Sequence, residues 1–571
     1  MRARRTASVL GLILTVAITS CAPSTAGPGS GSSGPQASQS TPKRITVAML
    51  GELPSFWDDI NPSGGTIPGM GQFEGLASAG LAALDENESI QAQLGEAVPS
   101  TENGLWRVFP DGRMEVTFRI REGARWHDGQ PFTSADLLFT AEVGRDQDVR
   151  VLTDPAYELI DSVEAIDERT VLVKWKRPYI SADRMFGLGT SMYGQPLPRH
   201  ILEPPFRQNK ATLTDSPFWT TEFIGNGAYR LREWAPGSHV LLDAVPDYVL
   251  GRPRVDQIEV KMIPDPSTLL ANVLAGAVDL TFSRSVSNEQ AVSAREQWRD
   301  GKMVPYISGW TMMYPQLRAP TPPALADAQF RRALIQAIDR QQLAETLTAG
   351  LAPVADAIIG PTAPEHRSIQ SSIVRYSYDP NRSMQILESM GFTRDGEGMF
   401  RDASGQRLTT EVRTTTNDAN QKSAFAVVDS FQRVGVGGEP VIIPPQRLQD
   451  RVYRTTYPGL ELVNQPFGAE GFENLLHSSA APLPERDHRA PNSNKNRGAY
   501  LNPDYDALMD RYRVTVPLAE RLQLMSQMIN IQTDQQLVMG LFYSADAIVM
   551  SNKLRNVAPA NTFNVQLWDV A

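Results

Sequence analysis

Two rhythms of apolar and polar positions alternate along this chain, and their succession predicts mixed strands and helices. Residues 44–50 (RITVAML) form a nearly unbroken apolar run of strand length, the mark of a strand buried on both faces. Residues 113–120 (RMEVTFRI) alternate at period two, as a half-buried strand does, and follow the turn Pro110-Asp111-Gly112. Strands are also predicted over 171–175 and 257–263. A hairpin is expected from 227–231 and 239–242 around Pro236-Gly237, and a further strand over 278–282. The helical rhythm takes over at 267–275, ended by Gly276, and at 330–349, where Phe330, Leu334, Ile338 and Leu343 share a face before Gly350. Capping chemistry punctuates the rest. Thr133 with Asp136 reads as a capping box just after the tight-turn pair Asp128-Gly129, and it opens a helix through Leu137 and Phe139. Asp379-Pro380 and Asn502-Pro503 each set a capping residue before a first-turn proline, and the first of these helices ends at Gly391. Strands and helices joined by short links give an α/β fold class, and no internal repeat is visible.

The N-terminus follows a different pattern. Cationic residues 1–5 (MRARR) precede an apolar run at 9–18 (VLGLILTVAI), which small residues close at Cys21. The run is far short of the ~20 residues that cross a bilayer, so residues 1–21 read as a signal segment. The pattern resembles a bacterial lipoprotein signal, in which the thiol of Cys21 is acylated and becomes the new N-terminus. Residues 22–43, rich in Ser, Gly and Pro, form a tether with a reach of about 25 Å. Glycines 29, 31 and 34 spell a dinucleotide fingerprint, but no strand precedes them and no helix follows, so the match carries no chemistry. No later stretch reaches transmembrane length, which places the body outside the membrane.

Composition narrows the function by exclusion. The 571 residues carry 54 basic and 64 acidic side chains, a formal charge of −10, which argues against a nucleic-acid partner. A single cysteine forbids an internal disulfide and any cysteine-built metal site. There is no phosphate-binding loop, no H-E-x-x-H and no G-x-S-x-G elbow, and the six histidines stand at no metal-ligand spacing. Carboxylates are plentiful, yet no two are singled out as a hydrolytic pair. The expectation is a protein without catalytic residues, cofactor or metal.

Several strings, in order, resemble family 5 solute-binding proteins of ABC importers, the receptors for dipeptides, oligopeptides and nickel chelates. They are 75–76 with 80–85 (GLAALD) and 93–99 (QLGEAVP); 110–112 through 119–123 (RIREG) to 126–137 (WHDGQPFTSADL); 224–229 (IGNGAY); 247–253; 274–280 (LAGAVDL); 330–340 (FRRALIQAIDR); 378–380 with 391–392; and 500–506 (YLNPDYD). The second block is the most specific. These residues are structural in kind: His127 belongs to a turn, Gly225 and Gly227 admit a backbone approach that a side chain would block, and Asp339 pairs or caps.

The resemblance implies a two-lobed periplasmic-binding-protein-like fold with a hinge and an extra subdomain in the first lobe. Lobe 1 would comprise 44–78, 205–283 and 540–571, with 79–204 as its extra subdomain, and lobe 2 would comprise 284–539. The chain would cross between lobes near 283–310 and 535–545. The implied function is capture of a peptide in the interlobe cleft and delivery to the permease and ATPase subunits of an importer, by a monomer held to the outer face of the membrane through Cys21. A non-peptide solute such as a glycoside or metal chelate, or an enzyme or interaction protein on the same scaffold, stays open. In this family a carboxylate meets the peptide amine within a string like Asp-Tyr-x-Asp-Pro. The corresponding stretch here, 460–473, lacks both aspartates, leaving Glu470 or Glu473 to substitute. Position adds Glu52, Phe56 and Trp57 after the first strand, Tyr306, Trp310 and Tyr314 beside the first crossover, and Asn464, Phe467 and Arg497 as further ligand contacts.

Overall fold

The computed structural model describes residues 42–61, 67–189, 192–448, 450–483, 495–558 and 561–571, with the side chains of Arg150, Arg451 and Glu470 also outside the description. Cys21, the signal segment and all but the last two residues of the tether lie outside the described residues. One ten-stranded sheet organises the body. In chain order its strands are β1 (Arg44–Leu50), β2 (Tyr229–Ala235), β3 (His239–Ala244), β4 (Gln257–Ile263), β5 (Leu280–Thr281), β6 (Gly301–Pro315), β7 (Thr409–Thr414), β8 (Gly437–Ile442), β9 (Leu460–Gln465) and β10 (Met539–Ser551). Their order across the sheet is β8-β7-β9-β6-β10-β5-β1-β4-β3-β2. The apolar run of β1 is explained by its place: it pairs in parallel with β4 on one side and β5 on the other, and Ile45, Val47, Ala48 and Met49 are fully buried.

The two longest strands lie side by side near the middle of the sheet. β6 and β10 run antiparallel from Gly301 opposite Ser551 to Met313 opposite Met539. The first half of β6 has only β10 beside it, whereas from Trp310 onward β9 pairs along its other edge. At the changeover the register shifts between Ile307 and Gly309, leaving Ser308 as the extra residue of a bulge. The apolar cores change at the same point. Val304 and Tyr306 pack against a core built mainly from residues 45–282 with 548–570, while Ile307 and Trp310 join one spanning mainly 310–545. Some side chains break the segregation: Ile180 of the first half packs in the second core, Val516 of the second half packs in the first, and Leu351 packs against both the second core and a cluster built from Ala48, 269–298 and 547–549. A separate four-stranded sheet over residues 106–175 stands in the first half, sealed by the helix Ser134–Arg145.

Local chemistry explains the element ends. Asp136 accepts the Thr133 backbone N–H at 2.9 Å, the reciprocal half of a capping box. Asp379 and Asn502 cap helices Pro380–Ser389 and Pro503–Val514, each with proline at the first position. The expected continuous helix 330–349 is instead two, Ala328–Gln336 and Arg340–Leu347. Asp339 accepts the Gln342 N–H at 3.0 Å and restarts the chain, because a short acidic side chain competes for backbone donors. The break turns Arg340 inward, where its guanidinium donates to the carbonyls of Ala355, Gly540 and Tyr376 and to Asp356.

The family-like block 126–137 is a structural clamp. The Gly225 N–H donates to His127 Nδ1 at 3.2 Å, so Nε2 carries the proton and donates to the Gly227 carbonyl at 3.0 Å. A methyl at Gly225 would stand 2.0 Å from the Ala77 carbonyl oxygen, and one at Gly227 2.5 Å from the Ala77 carbonyl carbon. Both glycines are therefore demanded by close backbone approach. Among the described residues no helix is long and apolar enough to cross a membrane.

Candidate functional site

Beside the Ser308 bulge lies a cavity of about 490 Å³. Its walls come from both halves: the turn 83–88 and residues 184–189 from one, residues 362–365 and 466–469 from the other, with Pro305–Ser308 and 561–563 along the floor. Of the positions singled out from sequence, Tyr306 and Phe467 line it. Phe467 is braced edge-on against Tyr543, ring centroids 6.3 Å apart, and β6 presents Tyr306 one strand position before the core changes.

The remaining candidates divide between side chambers, surface and interior. Trp57 lines a neighbouring chamber of about 290 Å³, and Glu473 a third of about 180 Å³ that shares Arg184, Glu365 and Ala469 with the main cavity. Glu470 sits on helix Gly468–Phe472, with its side chain outside the description. Asn464 is exposed and donates to Thr311 Oγ1 and Ser544 Oγ. Glu52 is exposed beside the turn at Gly237 and does not line the cavity.

Four expectations are corrected by burial. Phe56 stacks on Phe223 at 4.3 Å and is wholly buried. Trp310 and Tyr314 fill the second half's core. Arg497 is buried against Glu461, its Nη1 2.8 Å from Oε1. Arg454 donates to the same oxygen at 2.8 Å. That ion cluster is a structural one, since Arg497 is buried beside Glu461 and lines none of the chambers open to a solute.

Charge is concentrated in residues the sequence did not single out. Glu88, held at φ 60°, lines the main cavity with Arg184 and Glu365. Burial first and the Glu365 carboxylate second raise the Glu88 carboxyl to about 7, with Arg184 opposing. Glu88 belongs to the first half and Glu365 to the second, and a methyl built on Gly468 would stand 3.1 Å from Glu88 Oε2, so this carboxyl touches the opposite wall. Asp85, which ends the string 80–85, lines the same cavity; its side chain organises the turn by accepting the N–H groups of Asn87 and Ser89. Among the described residues no group of three or more His, Cys, Asp or Glu could hold a metal ion.

A long sheet crossed by two strands, with a cavity at their bulge walled from both sides, defines a two-lobed binding protein. Residues 98–460 match the family model for bacterial extracellular solute-binding proteins, family 5, and the chain belongs to that family. A Brucella ovis relative named for ABC-transporter peptide binding is 29% identical over 350 residues, covering 58% of this chain and 61% of its own length. The oligopeptide-binding protein AppA of Bacillus subtilis is 25% identical over 454 residues, 76% of each chain. Its structure in complex with a nonapeptide covers 93% of this chain and all of its own, with TM-score 0.63 and 20% identity. NikA from Brucella suis in complex with Fe(III)-EDTA gives TM-score 0.71 at 17% identity, covering 92% of this chain and all of its own.

Proposed function

We propose that this protein is a receptor that captures a peptide between its lobes and presents it, enclosed, to the permease of an ABC importer, whose separate ATPase subunits supply the energy. The observation that carries this reading is the cavity at the Ser308 bulge, walled from both halves of the chain. A ligand can favour the closed form only by touching both lobes, and Tyr306, Phe467 and Phe563 are aromatic contacts available to it. The lobes are 44–78, 205–283 and 540–571 against 284–539, with 79–204 as the extra subdomain; the separation of a core built mainly from 45–282 from cores built mainly from 310–545 supports two lobes. The receptor acts by binding alone, as a monomer, moored outside the cell by acyl chains on Cys21.

A second reading, a bulky non-peptide solute such as a metal chelate, draws on one observation: the stretch 460–473 lacks the aspartates by which the family meets a peptide amine. A thermal-shift screen of peptides, sugars and metal chelates separates the two, because stabilisation grows as RT ln(1 + [L]/Kd). Short peptides raising Tm with rising concentration supports the first reading. A response to chelates or sugars alone replaces it with the second. Radiolabelled palmitate incorporated into the wild type and absent from C21A tests the anchor.

A further inference from the structure

The chamber of about 290 Å³ beside the main cavity has a composition of its own. Asp58, Asp59 and Glu74 line it, and among its described lining residues there is no lysine, arginine or histidine. Glu74 is only 5% exposed, on helix Met70–Ala77, and its Oε1 has no hydrogen-bond partner; Tyr157, 4% exposed, presents an equally unpartnered hydroxyl to the same space. With the Gln195 amide Nε2, three buried polar atoms are left unsatisfied in one chamber, which is costly unless something else completes them. Two glycines keep the place open. A methyl at Gly194 would lie 2.3 Å from the Tyr157 hydroxyl, and one at Gly144 2.3 Å from its ring. Val143, Leu152 and Leu197 give the chamber an apolar stretch of wall beside the polar Thr140 and Gln195, and it meets the main cavity at Gly71 and Gly189, which line both.

We infer that this chamber is a specificity pocket for a basic side chain of the bound solute, with the aliphatic stem against the apolar walls and the ammonium or guanidinium on Glu74 and Asp59. The inference rests on the peptide-capture reading and deepens it. The apolar walls suit a lysine- or arginine-like group better than a bare metal ion, and the volume leaves room for a few waters of about 30 Å³ each beside such a side chain. Electrostatics agree. Burial, with Asp59 next, raises the Glu74 carboxyl to about 8, and burial also raises Asp58 and Asp59. The charged groups around them are Asp154, near Asp59 and Tyr157, Arg284, near Asp58, and Arg145, near Tyr157. A cation entering therefore ionises Glu74 and expels its proton, so affinity for a basic ligand rises with pH up to about 8 and then levels.

The test is calorimetric titration with alanine pentapeptides carrying lysine or its uncharged isostere norleucine at each position in turn, on the wild type and on E74Q and D59N. At one position lysine binds at least about tenfold more tightly than norleucine. E74Q reduces that preference to under about threefold, and it abolishes the proton-release heat that changes with buffer between pH 7 and 8 in the wild type. E74Q removes a buried titratable group by an isosteric swap, so an unchanged or raised Tm shows that the variant is folded. If pentapeptides bind but lysine and norleucine are equivalent everywhere, the pocket is refuted and peptide capture stands. If no pentapeptide binds, peptide capture fails, and agmatine against butanol probes the chamber directly. Agmatine binding lost in E74Q then upholds the pocket, and its absence from the wild type refutes it.

Discussion

Glu461 shows how a buried charge can be structural rather than receptive. Its side chain is wholly buried, and both Arg454 and Arg497 donate to its Oε1 at 2.8 Å. Removing the carboxylate strands two guanidiniums away from water, so E461A is expected to cost about 3–5 kcal/mol, read as a lowered denaturant midpoint. R497A leaves the Arg454 partner in place and should cost less. His127 makes a different statement, about pH. Burial first, against the favourable pull of the Gly227 carbonyl, lowers its ring to about 4 from 6.5. The neutral ring is the one that both accepts from Gly225 and donates to Gly227. Its contribution is present above pH 6.5 and lost as pH falls through 4, amounting to about 1–3 kcal/mol at most. The wild type should therefore lose stability more steeply than H127N between those values, measured by urea unfolding at matched pH. Neither role was visible as a partner set in the sequence. His127 reads there as a turn residue and Arg497 as a ligand contact, because their partners lie 100 and 36 residues away.

At the scale of elements, local chemistry was the legible part. The caps at Thr133, Asp379 and Asn502 and the apolar run of β1 are each decided by residues within a few positions, and each appears where the pattern put it. The helix at 330–349 was misjudged because its apolar spacing persists through Asp339, and periodicity is blind to a polar side chain that captures the backbone. The cavity was less legible still. Its walls come from turns some 380 residues apart, and Glu88 and Glu365 carry no local signature of facing one another. Gly225 and Gly227 are an intermediate case, since the need for glycine shows in the sequence but the obstacle, the backbone at Ala77, shows only in the fold. Either G225A or G227A should force that backbone apart and cost about 1–3 kcal/mol, with a lowered Tm while a neutral surface glycine replacement leaves it unchanged.

For the whole molecule, the Glu88 carboxyl couples lobe closure to pH. Its raised value of about 7 arises where the walls from the two halves meet, where burial and Glu365 act on it and Arg184 opposes them, and opening the cavity is expected to return it toward 4.5. Protonated Glu88 is indifferent to closure, whereas the ionised form resists it. The benefit to the closed form is complete below the ordinary value of 4.5 and is lost as pH rises through 7, by about 1–3 kcal/mol after allowance for partial exposure. Small-angle scattering of the ligand-free protein should show the radius of gyration increasing from pH 4.5 to pH 8, and E88Q should abolish the change.

Ile180 and Val516, each seated in the other lobe's interior, bear on what an empty receptor looks like from outside. Because they reward contact between the halves without any guest, a share of vacant molecules is expected to wear the shape of occupied ones. A membrane partner that reads shape alone would be answered by these decoys, and loaded molecules would compete with them for docking. I180D, by spoiling that reward, should thin out the decoys and make signalling depend more strictly on cargo, at the expense of a weaker grip on it.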